Sequence, residues 1–244
     1  GYGTSPVAMT SLAGMALLAG GSTPTRGHEW RTLRSTVDWL LLQQDRETGL
    51  FAVRGEDSQP MFGHGFATQF LASVHGMEED TRQQQRLQHA LQRAVRLIEA
   101  SQSPAGGWYY TPDANDDEGS VTVTQLQALR ACRQVGIVVD PRTVQRAVDY
   151  LRRCQNVDGG VRYRLSVPGE SRPAITAASI ASLFAAGVYD DQPFVDRAFR
   201  YCQQHLQVRV DTTNHHFYAH LYWSEALSQR GGRDYDDYWR AMSA

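Results

Sequence analysis

Apolar residues recur along this chain at helical spacing, in alternating runs of two kinds. Runs of the first kind are apolar over most of their circumference; Thr10 opens the run TSLAGMALLAGG and Thr176 opens TAASIASLFAAGV. Runs of the second kind carry one apolar stripe, such as Leu87, Leu91 and Ile98, with Arg and Gln opposite. A helix that is apolar all round is typical of burial, and a striped helix lies between core and solvent. The pattern therefore predicts inner helices that alternate with outer helices.

The alternation is an internal repeat of about 55 residues. A threonine opens each of four inner runs: Thr10, Thr68, Thr124 and Thr176. A fifth run spans Phe217 to Gln229. One helix hairpin cannot bury its own apolar face, so neighbouring hairpins must stack. We predict an all-α fold of about five helix hairpins with no significant sheet, and we expect the four threonines at equivalent ends of parallel inner helices.

The turns after the outer runs share a glutamine, a short spacer, a glycine and a large residue. The three copies are Gln44–Gly49–Phe51, Gln102–Gly106–Trp108 and Gln155–Gly159–Val161. This pattern resembles the glutamine–tryptophan (QW) repeat of squalene and oxidosqualene cyclases and the related repeat of prenyltransferase β-subunits. The resemblance extends from about Pro6 to about Arg240. It implies an α/α toroid, with inner helices around a central apolar cavity and glutamines that tie the outer helices together.

The length and composition narrow the function classes. A toroid of this kind usually needs about six hairpins, so we expect a single domain over residues 1–244 that is either a reduced toroid or a fragment of a longer chain. The net charge is −2, with no basic stripe for nucleic acid. All 24 basic residues are arginine, which excludes lysine-dependent chemistry. The sequence contains no run of 18 apolar residues, so it predicts no transmembrane segment. The sequence indicates no compartment.

An acidic segment, residues 113–118, leads into the third inner run. Squalene–hopene and related cyclases, which the chain resembles, carry Asp-x-Asp-Asp near this place, and the middle aspartate donates a proton to an alkene or epoxide. The best register puts Asn115 at that position, and an amide cannot donate this proton. The candidate catalytic residues are Asp116, Asp117 and Glu118, of which Asp117 or Glu118 replaces the acid only if burial raises its pKa. The alternative is a solvated acidic loop that complements the helix dipole.

Polar and aromatic residues also stand near the starts of the inner runs, where the catalytic groups of the family lie. The threonine alignment places Pro6, His64, Ser120 and Arg172 at equivalent positions, and aligning HGFATQFLA with HHFYAHLYW adds His215 as the fifth. We expect His64, Asp117, Arg172, His216 and Tyr218 to surround one mouth of the cavity. The alternative is that they are capping and core residues. The candidate ligand-binding residues are His64, Trp108, Tyr110, Arg172, His215, His216, Tyr218 and His220.

His216 and His220 are four residues apart, a spacing that can place two metal ligands on one helix face. Protein prenyltransferases hold zinc with an Asp-x-Cys pair and a distant histidine, and this chain has no Asp-x-Cys. We therefore expect no metal and no cofactor, with a structural role for both histidines as the simpler interpretation.

The sequence predicts a terpenoid-cyclase- or prenyltransferase-like toroid that binds an apolar or amphipathic small molecule, isoprenoid or lipid-like, in a central cavity. If it is an enzyme, the resemblance implies isomerase, lyase or prenyl-transfer chemistry. One alternative is a non-catalytic toroid that binds a protein partner, a ligand or the remaining part of the same chain. Another is an α/α-barrel carbohydrate-active enzyme, for which paired carboxylates would be needed.

Overall fold

The computed structural model describes residues 4–189, 192–208 and 215–243, and these residues form ten α-helices. The helices are α1 (Pro6–Ala19), α2 (Trp30–Leu42), α3 (Pro60–His75), α4 (Thr81–Ala100), α5 (Gly119–Gln134), α6 (Pro141–Arg153), α7 (Pro173–Ala185), α8 (Gln192–His205), α9 (His216–Arg230) and α10 (Arg233–Ser243). Within the described residues, extended pairing is limited to isolated bridges. The chain is therefore an all-α toroid of five hairpins, which confirms the predicted fold class.

The three central inner helices, α3, α5 and α7, are buried over most of their surface as their pattern predicts, whereas α1 buries only Val7, Ala8, Ser11 and Gly14. The helices α1, α3, α5, α7 and α9 pack side by side in chain order and form the inner layer. In α7 every residue from Ala174 to Ala185 is buried. In α6, an outer helix, only one face is buried, including Val144, Ala147 and Leu151. An apolar circumference thus selects the inner layer, and a single stripe selects the outer one.

The repeated glutamines tie each outer helix to the next one. The Nε2 amide of Gln102 donates to the carbonyl of Gly106 in its own turn (2.8 Å) and to that of Thr143 on α6 (2.9 Å). Gln44 makes the same pair of bonds to Gly49 and to Ala90 on α4, and Gln155 to Gly159 and to Phe194 on α8. The role that the resemblance implied for these glutamines is confirmed.

The turn glycines lie against the next outer helix. Gly106 has a φ of 103°, and a Cβ there would stand 2.4 Å from the carbonyl oxygen of Arg146. Gly49 and Gly159 make the same close approach to Arg93 and Arg197. No residue with a side chain fits this backbone path without displacing its neighbour.

The alignment of the four opening threonines is wrong. In each repeat the backbone N–H of the large turn residue donates to one inner-helix side chain: from Phe51 to His64 Nδ1, from Trp108 to Thr122 Oγ1, and from Val161 to Thr176 Oγ1. His64, Thr122 and Thr176 are therefore the equivalent positions. Thr68 and Thr124 lie further along their helices, and Thr10 is not part of this set. A histidine replaces threonine in the first copy, so matching by residue type shifts the register.

The starts of the inner helices are fixed by the turn of the following repeat. The N–H of Met61 donates to the carbonyl of Tyr110 (3.0 Å), and the N–H of Gly119 to the carbonyl of Tyr163 (2.8 Å). The two tyrosines stand at the same position after their turn glycines. Tyr110 is thereby held at the start of α3 and Tyr163 at the start of α5, and the hydroxyls of the two tyrosines are in contact.

Candidate active site

The three acidic candidates before α5 point in different directions. Asp116 is partly exposed and forms an ion pair with Arg164 (3.1 Å). Asp117 is buried toward the outer layer, where its Oδ2 accepts from the hydroxyl of Ser103 (2.9 Å). Glu118 alone turns into the inner layer, with none of its surface exposed.

Glu118 is the N-cap of α5 as well as a buried acid. Its carboxylate oxygens accept from the backbone N–H of Ser120 (2.8 Å) and of Val121 (2.6 Å), and from the Ser120 hydroxyl. Burial raises the pKa of the Glu118 carboxyl above its ordinary value, while these hydrogen bonds act in the opposite direction. Burial dominates, so Glu118 meets the condition stated for a replacement acid.

Two tyrosines lie beside the Glu118 carboxyl. The hydroxyls of Tyr110 and Tyr163 are in direct contact with each other. Burial raises the pKa of both phenols, and the nearby Glu118 charge adds to the shift. Both phenols thus remain neutral hydrogen-bond donors at neutral pH, suited to hold a proton next to a carboxylate.

Helix α9 adds a third tyrosine from across the inner layer. The hydroxyl of Tyr218 is buried and has no hydrogen-bond partner among the described residues, and the same is true of Tyr222 one turn later. Burial raises the pKa of Tyr218, with smaller contributions from Tyr222 and Glu118. The Tyr218 ring lies 6.4 Å from that of Phe62 on α3, which in turn packs edge-on against Phe66. An unpartnered buried hydroxyl is costly, and it marks a place where a polar group of a ligand or a water would fit.

A second, partly buried carboxyl lies further along the same helices. Glu225 on α9 accepts from the amides of Gln127 on α5 (3.2 Å) and Gln229 (3.2 Å). Burial raises its pKa, and burial with the Glu225 charge also raises that of Tyr222. Gln127 is nine residues beyond Glu118, which corresponds to about 13 Å along α5. Tyrosines therefore separate two carboxyls that both favour the protonated form more than usual.

Arg172 marks the outer rim of the site. It is the N-cap residue of α7, is exposed, and holds its guanidinium 4.4 Å from the centre of the Tyr163 ring. Arg164 stacks in the same way on Tyr109 at 4.7 Å. Cations over aromatic faces are attracted by the ring quadrupole. The structure therefore brings Tyr110, Arg172 and Tyr218 of the sequence candidates to the Glu118 cluster.

The remaining candidates face other parts of the fold. His64 is fully buried, its Nδ1 accepts from Phe51, and its Nε2 lies 3.4 Å from the carbonyl of Ala94. Burial lowers the pKa of His64 to about 4, so this is a neutral packing residue. Trp108 is also fully buried, and its Nε1 donates to the carbonyl of Ile98 (2.7 Å). The expected mouth of five residues is thus wrong for His64 and Asp117, which belong to the contact between the layers, and for His216, which lies against His220.

The three histidines of the last inner helix do not join the cluster. His215 is exposed at the N-cap of α9. The rings of His216 and His220 are 4.4 Å apart on one face, as their spacing predicts. His220 Nδ1 lies 3.0 Å from the hydroxyl of Tyr238 on α10, which directs it to the outer layer. No group of three or more His, Cys, Asp or Glu in the described part of the chain is arranged to hold a metal.

Two members of the cluster were missed by the sequence analysis. Tyr163 follows Gly159 by four residues, as Tyr110 follows Gly106, so the repeat register alone could have identified it. Glu225 stands at i+7 from Tyr218 and i+3 from Tyr222, on the same helix face. A carboxylate on the inward face of an otherwise buried helix is the signal that could have found it.

Comparison with known proteins agrees with this architecture. The family model of the squalene-hopene cyclase C-terminal domain matches residues 77–221, more than half of the chain. Squalene–hopene cyclase of Bradyrhizobium diazoefficiens (strain USDA 110) is 34% identical over 116 residues, which cover 44% of this chain and 17% of that protein. The chain thus spans a small part of this curated relative.

A solved structure of a polysaccharide lyase superposes with a TM-score of 0.50 at 19% identity, over 82% of this chain and 62% of that one. This likeness concerns the fold alone.

Among the described residues, no helix combines the length and apolarity needed to cross a membrane. The repeated turns, the two helix layers and the match over residues 77–221 show that the chain belongs to the squalene-hopene cyclase C-terminal domain family.

Proposed function

We propose that the inner layer binds an apolar, isoprenoid- or lipid-like ligand between α3, α5 and α9, with one end of the ligand at Glu118. The observation that carries this proposal is the burial of Glu118 beside three tyrosines, of which Tyr218 has an unpartnered hydroxyl. A polar end surrounded by aromatic rings suits a long apolar molecule with one reactive or polar terminus. The catalytic role of Asp116 and Asp117 is not part of the proposal, since both face away from this space.

Glu118 would act on such a ligand as a proton donor. The carboxyl proton adds to one carbon of an alkene, and the more substituted carbon becomes a carbocation. The rings of Tyr218 and Phe62 stabilise that charge by cation–π attraction. Loss of a proton from a neighbouring carbon to the carboxylate restores Glu118 and leaves an isomer of the starting alkene. No metal or cofactor takes part in this sequence.

The capping bonds of Glu118 shape this chemistry. The N–H groups of Ser120 and Val121 stabilise the carboxylate once the proton has left, because they already point at its oxygens. An apolar ligand excludes water and so raises the pKa of the Glu118 carboxyl further before proton transfer.

We propose a single toroid domain over residues 1–244. In a longer protein the remaining part of the chain would complete the wall around the ligand.

Squalene dispersed in a mild detergent is the probe that tests this function. Saturable binding should quench the tyrosine fluorescence of the chain. In deuterium oxide the wild-type chain should produce squalene isomers that carry deuterium on carbon, detected by mass spectrometry. Glu118→Gln should retain binding and lose deuterium incorporation at least 100-fold.

Asp117→Asn is the matched control, because it changes a neighbouring buried carboxyl that faces the outer layer. It should leave deuterium incorporation within about threefold of wild type. Absence of saturable binding would refute the proposal. Binding with equal deuterium incorporation in the Glu118→Gln variant would refute the acid role alone.

A further inference from the structure

A cavity of about 310 Å³ opens at the end of the inner layer opposite to Glu118. It lies between the C-terminal ends of α5 and α7, with Val144 of α6 at its side. The polar side chains of its lining are Arg130, Arg133 and Gln134, all near the C-terminal end of α5. The full lining is Leu126, Arg130, Arg133, Gln134, Val144, Ala185, Ala186, Gly187 and Tyr189. Arg130 is twelve residues beyond Glu118, so the two places are about 18 Å apart along the helix axis.

Two arginines without direct partners face this cavity. Leu126, Arg130 and Arg133 recur at i, i+4 and i+7, so they share one face of α5. Neither guanidinium makes an ion pair or a hydrogen bond with any described residue. Arg130 is half-buried. Its charge acts on Glu225 through space and offsets part of the rise that burial causes in the pKa of that carboxyl. The guanidinium donors of the two arginines are therefore available to an anion that enters the cavity.

We propose that this cavity binds the phosphate or carboxylate head of a small amphipathic anion, with Arg130 and Arg133 on the head and the apolar part against Leu126, Val144 and Ala185. The guanidinium fork of each arginine can donate two parallel hydrogen bonds to such a head. The volume is at the lower end of the range of small-molecule sites, which limits the ligand to a short chain or a single ring. The proposal does not rest on the function proposed at Glu118, although the charge of Arg130 acts through space on Glu225.

Titration calorimetry with hexyl phosphate tests the site, with inorganic phosphate and hexan-1-ol as the two partial probes. The intact chain should bind hexyl phosphate at least tenfold more tightly than either part. Arg130→Gln should weaken this binding tenfold or more, and Arg133→Gln, being more exposed, about threefold. Arg130→Lys keeps the charge but loses the bidentate geometry, so it should fall between wild type and Arg130→Gln.

Arg96→Gln is the matched control, because Arg96 is an exposed arginine of α4 that does not line the cavity. It should bind hexyl phosphate as wild type does. Circular dichroism establishes that each variant is folded, and Arg130→Lys carries the test if Arg130→Gln is not. The proposal would be overturned if Arg130→Lys bound hexyl phosphate as tightly as wild type. It would also be overturned if Arg130→Gln bound it as tightly as the control Arg96→Gln. So would tighter binding of inorganic phosphate than of hexyl phosphate, which would show a surface anion contact with no apolar subsite.

Discussion

The layer of turns and the interior between the inner helices are built on opposite plans. In the turns, each of three repeats contributes the same glutamine, the same left-handed glycine and the same N–H to side-chain bond. In the interior, two repeats contribute a tyrosine at the same position, Tyr110 and Tyr163, but the other groups differ: Glu118 comes from the start of α5, and Tyr218 with Glu225 from α9. Both regions keep some buried polar atoms without a partner among the described residues: Gln102 Oε1 and Asp117 Oδ1 near the turns, and the hydroxyls of Tyr218 and Tyr222 in the interior.

This difference separates what holds the fold from what the fold is for. Repetition is expected where every hairpin must solve the same packing problem. A binding or catalytic site needs several kinds of group around one ligand, so repetition is less complete there. Changes in the turns should therefore alter stability, and changes in the interior should alter binding or chemistry with less effect on stability.

The largest expected effect is from Gly106→Ala. The φ of 103° strains any other residue, and the new Cβ would meet the carbonyl of Arg146 at 2.4 Å. The free energy of unfolding should fall by about 3–5 kcal/mol. Urea unfolding followed by circular dichroism measures it.

Gly55→Ala is the control for the backbone alone. Gly55 has a φ of 84°, but no atom lies within 4 Å of the position that a Cβ would take there. Its substitution should cost about 1 kcal/mol. Equal losses in the two variants would show that the contact between turn and outer helix contributes little.

The first turn differs from the other two in its inner-helix acceptor, and His64→Thr tests that difference. Because burial lowers the folded-state pKa of His64 to about 4, the unfolded chain binds a proton first as the pH falls below about 6.5. The wild-type chain should therefore lose about 3 kcal/mol of stability between pH 6.5 and 4 through this residue. Unfolding curves at several pH values measure the slope.

His64→Thr installs the residue that the next two repeats use at this place. The variant should be about 1–2 kcal/mol less stable at pH 7.5, because the smaller side chain leaves a cavity. Its stability should change less between pH 6.5 and 4 than that of wild type. An unchanged slope would assign the acid sensitivity to other groups.

Gln102→Ala removes the tie between two outer helices. Two carbonyls, of Gly106 and Thr143, lose a buried donor, so the free energy of unfolding should fall by about 2 kcal/mol. Gln85→Ala, at an exposed position of α4, should change it by less than about 0.5 kcal/mol. Thermal unfolding of both variants gives the comparison. A similar effect of the two substitutions would contradict the structural role of the glutamine.

The same contrast explains what the sequence could predict. The helix layers follow from periodicity and repetition, which are local signals that recur several times along the chain, and the glutamine ties were implied by the family resemblance of the repeated turns. The register of the inner helices could not be predicted in this way, because His64 and Thr122 accept the equivalent backbone hydrogen bond with different side chains. The site was only partly predictable: Glu118, Tyr110 and Tyr218 were candidates. Whether an acidic residue turns inward, as Glu118 does, or outward, as Asp117 does, depends on packing across repeats that no spacing reveals.

The smallest expected effect on stability is from Tyr218→Phe. The hydroxyl of Tyr218 is buried without a partner among the described residues, so its removal should leave the free energy of unfolding unchanged or raise it by up to about 1 kcal/mol. Tyr163→Phe removes a hydroxyl that contacts Tyr110, and should instead cost about 1 kcal/mol. Chemical unfolding of both variants, with squalene binding measured in parallel, separates the two kinds of hydroxyl. Tyr218→Phe should weaken squalene binding or deuterium incorporation although it does not weaken the fold. If it destabilises the chain as much as Tyr163→Phe does, the hydroxyl is satisfied within the folded protein, and the interior near Glu118 is packing in the same sense as the turns.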